Sequence, residues 1–335
     1  MKVLALVLSS VVATLLLIGS LVVVLVVVPK TSPILFLLPT LAFTFFIYGP
    51  LSFGSATFYW DFGSSDDSRR YLRRYLWIVG GLELLAAVAL IVFAVMTGAP
   101  IWLPIVFIAL CAILMVVAPL IGRALRRYDD GHSQRRPSWV PTDASIVRRK
   151  IRTIVITFVA ALVVFFALFT LVFAQFGDKG DGVASTALFA FEFAAIAGAF
   201  AAIIVSIPLA RDLRGAGNRD ITLTRKVAKV VLRGKKIELN EVEETAAARY
   251  AAAASVYFPF MLTYLVLLYL GIGSGLVKTI ADGTSDTSMI TVVELVFLAV
   301  VLVVFFPMQI VRTRRARQYA IDHDDLLKEH ALSAQ

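Results

Sequence analysis

Long runs of apolar residues, separated by shorter polar segments, alternate along most of the chain. A membrane-spanning helix needs about 20 mainly apolar residues to cross a hydrocarbon core of roughly 30 Å. Eight runs reach that length. The pattern therefore predicts an all-α, polytopic integral membrane protein with eight transmembrane helices, at residues 3–28, 33–53, 76–96, 101–121, 154–176, 183–210, 251–276 and 289–311.

The basic residues are unevenly distributed among the segments that join these runs. Lys and Arg collect in the cytoplasmic loops of membrane proteins. With the N-terminus placed in the cytoplasm, all of the 32 Lys and Arg residues except Lys30, Lys179 and Lys278 fall on the cytoplasmic side. We therefore expect both termini in the cytoplasm and the chain in the cytoplasmic membrane. The first run is longer than the roughly 7–15 apolar residues of a secretory signal, so we expect it to be a retained membrane helix.

The expected external loops are short and the internal ones longer, which predicts four helical hairpins that open toward the cytoplasm. The returning helix of each hairpin has proline followed by Leu or Met near its cytoplasmic end, at Pro50, Pro119, Pro208 and Pro307. Two explanations stay open. Proline is common where helices leave the membrane, and an internal 4+4 repeat would give the same pattern.

This organisation divides the chain into four parts. A first four-helix membrane half at 1–127 is followed by a polar cytoplasmic linker at 128–150, which has no periodic pattern. A second four-helix half at 151–311 precedes a cytoplasmic tail at 312–335. The linker is the predicted boundary between the halves.

The longest cytoplasmic loop, at 211–250, contains a helical pattern with one apolar and one basic face at 221–232. Such a helix is suited to the headgroup layer of a membrane. We therefore predict a surface for anionic lipid headgroups or a partner protein, formed by Arg211, Arg214, Arg225, Lys226, Lys229, Arg233, Lys235 and Lys236.

Two helix starts can be predicted from capping residues. Asn240 followed by Glu243 has the spacing of a capping box, which predicts a helix that continues into the seventh span. Before the third span, Asp67 or Ser68 is the expected cap.

Composition excludes several classes of protein. Of the 335 residues, 59% are hydrophobic and 16% charged, which leaves too little polar surface for a soluble enzyme. Cys111 is the only cysteine, so no disulfide can form within the chain. The net charge of +9 is explained by the topology-determining Lys and Arg residues, which lie against anionic headgroups rather than nucleic acid.

No catalytic, metal-binding or cofactor motif stands out. The three histidines, His132, His323 and His330, all fall outside the apolar runs, so we expect no haem or zinc site in the membrane. Cys111 lies in the fourth run and is interpreted as a small buried hydrophobic residue. We therefore expect no cofactor, no metal and no enzymatic activity.

The acidic residues inside the apolar runs are the candidate functional residues. A charge in the bilayer centre costs on the order of 3 kcal/mol, so such residues are rare. Glu83 and Glu192 fall near the midplane of their spans, and Glu294 falls near one end. Two roles stay open: proton- or cation-coupled transport, or a neutral acid that bonds to a neighbouring helix. The small residues around Glu192 favour close helix contact and fit either role: Ala194, Gly198 and Ala202.

The sequence leaves three classes of function. The leading one is a transporter or permease that uses Glu83 and Glu192. The first alternative is a non-catalytic scaffold or accessory subunit that docks a partner or lipid through its basic cytoplasmic face, within a homo-oligomer or a larger membrane complex. The weaker alternative is a magnesium-dependent, lipid-modifying enzyme that uses loop aspartates: Asp61, Asp66, Asp67, Asp212 and Asp220.

Overall fold

The structure of the chain is a computed structural model that describes residues 2–28, 32–131, 144–176, 183–217, 219–281 and 288–333. These residues form helices and connecting turns, with no strand among them, so the predicted all-α class is confirmed. The helices are α1 (Lys2–Val27), α2 (Pro33–Tyr59), α3 (Asp66–Thr97), α4 (Trp102–Gly131), α5 (Ala144–Phe176), α6 (Val183–Gly215), α7 (Ile221–Arg233), α8 (Glu241–Ala281), α9 (Ser288–Asp322) and α10 (Asp324–Ser333).

Seven of the described helices are long and apolar enough to cross a membrane: α2, α3, α4, α5, α6, α8 and α9. Helix α1 adds a shorter apolar stretch at Val12–Val27, the part of it whose side chains are described. The chain is therefore a multi-pass membrane protein.

Several predicted loops lie outside the described residues. They are the external loops at 29–31 and 177–182, which contain Lys30 and Lys179, the centre of the linker at 132–143, and the segment 282–287. The two ends of the linker are helical, because α4 continues to Gly131 and α5 begins at Ala144. The boundaries of the linker stay a prediction. Both spans extend beyond their apolar runs through good helix formers, which are Ala124, Leu125, Arg126 and Arg127 at the end of α4 and Arg148, Arg149 and Lys150 in α5.

The starts of α3 and α8 test the capping predictions. Helix α3 begins at Asp66, with Ser65 as its cap, and the Ser68 N–H donates to Ser65 Oγ at 3.2 Å. The prediction of Asp67 or Ser68 as the cap is therefore wrong, because the helix starts earlier than the apolar run. The capping box of α8 is confirmed: the Glu243 N–H donates to Asn240 Oδ1 at 2.8 Å, and the Asn240 N–H donates to Glu243 Oε2 at 3.0 Å.

The helices pack as two compact units. The first contains α1 to α4 and the peptide Arg219–Thr222, and the second contains α5, α6, most of α7, α8, α9 and α10. In the first unit α2 is central and contacts α1, α3 and α4. Its core includes Phe43 and Phe107, whose ring centroids are 4.4 Å apart, and the fully buried Leu90 and Phe93.

A close crossing of α2 and α4 holds the first unit together. Gly54 on α2 faces Ala118 and Gly122 on α4, and Thr57 Oγ1 donates to the carbonyl oxygens of Gly54 at 2.8 Å and Pro119 at 3.4 Å. A Cβ atom at Gly122 would overlap both the Gly54 carbonyl oxygen and Thr57 Oγ1. The two backbones therefore approach so closely that only glycine fits at position 122.

In the second unit α6 lies between α5 and α8, and α8 also contacts α9. Phenylalanine rings join α5 to α6, with centroid distances of 5.3 Å for Phe165 and Phe193 and 5.7 Å for Phe169 and Phe189. Small residues on α6, among them Ala194 and Ala202, are fully buried. The stripe predicted around Glu192 is thus a helix-packing surface.

Candidate functional site

The carboxyl group of Glu83 lies in the interior of the first unit. Its side chain projects from α3 and is only 8% exposed. The Cys111 thiol on α4, which is also buried, donates a hydrogen bond to Glu83 Oε2 with the sulfur 2.6 Å from the oxygen. The other oxygen, Oε1, is buried and has no hydrogen-bond partner among the described residues. Cys111 is thus a polar neighbour of Glu83 rather than a purely apolar core residue.

Glycine on a third helix completes this site. Gly49 of α2 faces the carboxyl group so closely that a Cβ atom there would overlap Glu83 Oε1, and it would lie 3.5 Å from Val79 Cγ1. The carboxyl group is therefore enclosed by α2, its own helix α3, and α4. Any side chain at position 49 would displace it.

Glu192 has a related setting in the second unit. Its side chain projects from α6 and is half-buried. A Cβ atom at Gly275 of α8 would lie 2.9 Å from each of its carboxyl oxygens, and one at Gly271 would lie 3.1 Å from its backbone carbonyl oxygen. Gly271 and Gly275 are four residues apart, which is the spacing that lets two membrane helices approach closely. Gly271 and Gly275 thus form the surface of α8 that contacts Glu192.

The third predicted acid has a different environment. Glu294 lies on α9, and its side chain is exposed. Glu83 and Glu192 thus share a feature that Glu294 lacks in the described structure: a carboxyl group pressed against a glycine of a neighbouring helix. These two are the stronger candidates for a function that needs an enclosed acid.

Only part of the predicted surface around α7 is exposed. Helix α7 is confirmed, but its apolar side packs on α8 and α9: Val227 and Val231 are 1% and 2% exposed and cluster with Ala247, Ala251 and Ala316. That apolar face is therefore not free to insert into a membrane, and this part of the interpretation is wrong. A sequence pattern does not distinguish lipid from protein as the partner of an apolar face.

The basic residues of this surface have two environments. Lys226 is ion-paired to Glu243 at 2.6 Å, and Arg211 and Arg214 are half-buried. The exposed members of the predicted set are Arg225, Lys229, Arg233, Lys235 and Lys236. A surface for lipid or a partner protein stays a prediction for these five residues.

The residues that join α2 to α3, 60–65, form a hydrogen-bonded segment that we call the α2–α3 corner. Asp61 Oδ2 is 2.7 Å from Arg126 Nη2, and Arg126 Nη1 donates to the Trp60 carbonyl oxygen at 3.0 Å. The Asp61 N–H donates to the Arg219 carbonyl oxygen at 3.0 Å. Within the first unit, the corner is thus attached both to α4 and to a peptide from much later in the chain.

Asp220 holds the neighbouring part of that peptide. Its Oδ1 atom accepts hydrogen bonds from Ser68 Oγ at 3.0 Å and from the Thr222 N–H and hydroxyl, both at 2.7 Å. Arg219, next to it, has a φ of 60°, which is uncommon for a residue other than glycine. Polar contacts therefore hold this peptide, in addition to the burial of Ile221.

Hydrogen bonds lower the pKa values of both aspartates. Burial alone would raise the pKa of Asp61, but the hydrogen bonds from Arg126 and the Gly63 N–H lower it below the ordinary value of 3.8. Burial would also raise the pKa of Asp220, but the hydrogen bonds from Thr222, Ser68 and Ser64 lower it. Both carboxylates therefore stabilise the folded corner at pH values above their ordinary pKa. This contribution to its stability is lost as the pH falls through the lower pKa of the folded state.

We expect this loss to be measurable by hydrogen exchange at the Asp61 amide. Between about pH 6 and pH 3 its protection factor should fall roughly threefold, the effect of a partly exposed ion pair after solvent screening. The Asp61→Asn variant should show low protection at both pH values. Asp66→Asn is the matched control, because Asp66 is exposed and pairs with Arg69 at 3.6 Å on the surface of α3, outside the hydrogen bonds given above for the corner. A protection factor that does not change with pH in the wild type would contradict the assignment.

Sequence reasoning missed the neighbours of the two enclosed acids. Gly49 and Gly275 were not candidate residues, and Cys111 was assigned to apolar packing. The spacing of Gly271 and Gly275 was a usable signal for a helix contact. Nothing in the sequence indicated that Gly49 would face Glu83, because that depends on how α2 is rotated against α3.

No family model, curated protein or solved structure matches this chain. Its function must therefore be argued from its own residues.

Proposed function

We propose that the chain is a proton-coupled permease of the cytoplasmic membrane in which Glu83 and Glu192 bind and release protons. The observation that carries the proposal is the Glu83 carboxyl group, 8% exposed, with one oxygen lacking a hydrogen-bond partner among the described residues. An ionised carboxylate in such a place costs about 3 kcal/mol or more. The acid therefore favours holding a proton while enclosed and releasing it only when the site opens to water.

The neighbours of Glu83 favour a proton over a metal ion as the coupling species. Among the described residues, the Cys111 thiol donates to its carboxyl group and Gly49 faces it closely. Hard cations such as calcium take six to eight oxygen ligands. A carboxyl group with a thiol donor on one oxygen instead suits uptake of a single proton on the other.

The topology that belongs to this proposal has eight spans, with both termini in the cytoplasm and four hairpins open to that side. Its support is α1, a 26-residue helix that contacts α2, together with the uneven distribution of Lys and Arg residues. An even number of spans places both termini on one side of the membrane. The same bias assigns that side to the cytoplasm.

The packing within each unit bears on the proposed 4+4 repeat. The second and third spans of each unit, α2 with α3 and α6 with α8, pack together and bring one carboxyl group against one glycine. However, the acid is on the third span of the first unit and on the second span of the second unit. The fourth spans also pack differently, because α4 packs on α2 and α9 packs on α8. Neither the helix pairing nor the two carboxyl–glycine contacts are therefore a copied motif, and the repeat rests on the sequence pattern of its prolines alone.

Transport coupling can be tested in proteoliposomes that contain a pH-sensitive dye and are challenged with pooled small-molecule substrates. We expect substrate-dependent proton movement in the wild type and at least a tenfold loss in Glu83→Gln and Glu192→Gln, because an amide cannot exchange the proton. Glu294→Gln is the matched control, since Glu294 is exposed and should leave the flux unchanged. Wild-type flux in both Glu83→Gln and Glu192→Gln would overturn the proposal.

The scaffold function has its own supporting observation. The apolar face of α7 is occupied by α8 and α9, so what remains on the outside of the helix is basic. Such a surface suits an acidic partner or anionic headgroups. Reversing the charges of Lys229, Arg233 and Lys235 should then release a co-purified partner, whereas Glu83→Gln should not.

The enzymatic alternative gains no support from the contacts of Asp61, Asp66, Asp67 and Asp220. Asp61 and Asp220 are held by the hydrogen bonds of the α2–α3 corner. Asp66 and Asp67 are exposed and face the arginines three residues further along α3. We therefore assign no catalytic residue.

A further inference from the structure

A cavity of about 370 Å³ lies in the first unit beside the α2–α3 corner. Its walls include Thr57 near the end of α2, Phe62 and Gly63 of the corner, and three arginines of α4: Arg123, Arg126 and Arg127. The volume falls within the range of about 300–1,000 Å³ that small-molecule sites occupy. Three arginines on one wall give this cavity a strongly positive lining.

Arg126 is the fixed member of the three arginines. Its guanidinium group is held by Asp61 Oδ2 at 2.7 Å and by the Trp60 carbonyl oxygen at 3.0 Å. These contacts order both the arginine and the corner, which forms another part of the cavity wall. Part of the cavity is therefore in place before any ligand enters.

The other two arginines supply the charge for a ligand. Arg123 and Arg127 are four residues apart on α4, so they project from the same side of the helix. Both are exposed, and neither is ion-paired to a residue that the structure describes. Because Asp61 offsets the charge of Arg126, the cavity retains two positive charges from Arg123 and Arg127.

Two unpaired guanidinium groups define the chemical class of the ligand. Arginine is permanently charged, and its planar fork matches the oxygens of phosphate in bidentate contacts. A phosphate monoester carries about −1.5 to −2 at pH 7, which matches the two free charges. A phosphodiester carries only one negative charge and would leave one arginine unmatched.

We propose that this cavity is a binding site for a phosphate monoester, held by Arg123 and Arg127 and oriented by the fixed Arg126. The site is separate from the enclosed acids and does not depend on the proposed proton coupling. It also differs from the basic surface of α7, because its walls belong to the first unit. The phosphate has two sources to distinguish: the headgroup of a lipid such as phosphatidic acid, or a soluble phosphorylated metabolite.

The test measures binding to the purified full-length protein in detergent by isothermal titration calorimetry. Three probes are compared: dioctanoyl phosphatidic acid, the phosphodiester dioctanoyl phosphatidylglycerol, and soluble glycerol 3-phosphate. We expect at least one monoester to bind the wild type about tenfold more tightly than the diester. Binding of phosphatidic acid alone assigns the site to a lipid headgroup, and comparable binding of glycerol 3-phosphate assigns it to a soluble metabolite.

Two pairs of substitutions separate this site from general attraction to a basic protein. Arg123→Ala with Arg127→Ala should weaken monoester binding about tenfold or more. Arg73→Ala with Arg74→Ala is the matched control, since it removes two exposed arginines of the same unit that do not line the cavity. Arg123→Lys with Arg127→Lys keeps the charge, removes the fork and should give an intermediate affinity.

The outcomes that overturn the proposal are equally specific. They are equal weakening by the two alanine pairs, equal affinity for monoester and diester, or no binding of either monoester by the wild type. Because Arg123 and Arg127 are exposed, the alanine pair should retain the wild-type melting temperature. A pair that melts normally and still binds as tightly as the wild type also overturns the proposal.

Discussion

Replacing Gly122 by leucine is expected to lower the unfolding free energy by roughly 3 kcal/mol, the upper part of the range for overpacking in a tight interior. The reason lies in what the new side chain would meet. Its Cβ atom would overlap the Gly54 carbonyl oxygen, which belongs to the backbone of α2, and also Thr57 Oγ1. Backbone atoms cannot rotate away as a flexible side chain can, so α2 and α4 would have to separate.

The matched control is the same substitution at Gly81, a helical glycine of α3 in the same unit. Gly81 is exposed, and a Cβ atom there meets nothing within 4 Å. Gly81→Leu should therefore be neutral or slightly stabilising, since leucine is the better helix former by up to about 1 kcal/mol. Thermal unfolding of both variants in one detergent gives the comparison. Equal melting temperatures would contradict the close crossing of α2 and α4.

The second effect is expected at Gly49, where alanine should cost about 1 kcal/mol, the lower part of the range for overpacking, because the atoms that it displaces end a side chain. The new methyl group would occupy the space of Glu83 Oε1 and push the carboxyl group away from the Cys111 thiol. In a protein that already carries Glu83→Ala, the same methyl group would enter space that the carboxyl group has vacated. The cost of Gly49→Ala should then fall to near zero, which gives a coupling of about 1 kcal/mol between the two positions.

This double-mutant cycle distinguishes a specific contact from general damage to α2. Gly81→Ala, measured with and without Glu83→Ala, should show no coupling, because nothing lies within 4 Å of a Cβ atom at Gly81. A cost of Gly49→Ala that stays the same in both backgrounds would show that Gly49 does not touch Glu83. The enclosed acid on which the proposed transport function depends would then be misplaced.

The apolar runs of the sequence were sufficient to predict the class and most of the membrane helices. A run long enough to cross the hydrocarbon core has few alternatives, because its backbone must satisfy its own hydrogen bonds there. The ends of the helices were harder to predict. Helices α3, α4 and α5 continue through charged residues, where nothing in the hydrophobic pattern marks a stop.

Glu83 and Glu192 could be found from the sequence because an acid in an apolar run is conspicuous. The surroundings of these two acids could not be found from the sequence, because a neighbour such as Gly49 or Cys111 is defined by how separate helices rotate and cross. The same limit applied to α7, whose pattern of two faces is satisfied equally by lipid and by α8 and α9. The periodicity of a helix indicates that one face is buried, but it does not indicate whether lipid or protein covers that face.

The attachment of the α2–α3 corner to Arg219 and Asp220 has a consequence for the order of biosynthesis. The ribosome adds about 5–20 residues per second, so several seconds pass between completion of α4 at Gly131 and synthesis of the peptide Arg219–Thr222. During that interval the first four helices exist without two of the partners that close their corner. The first unit is therefore completed only after α5 and α6 have been translated, and a chain truncated before residue 219 would retain its first four helices with that corner unclosed.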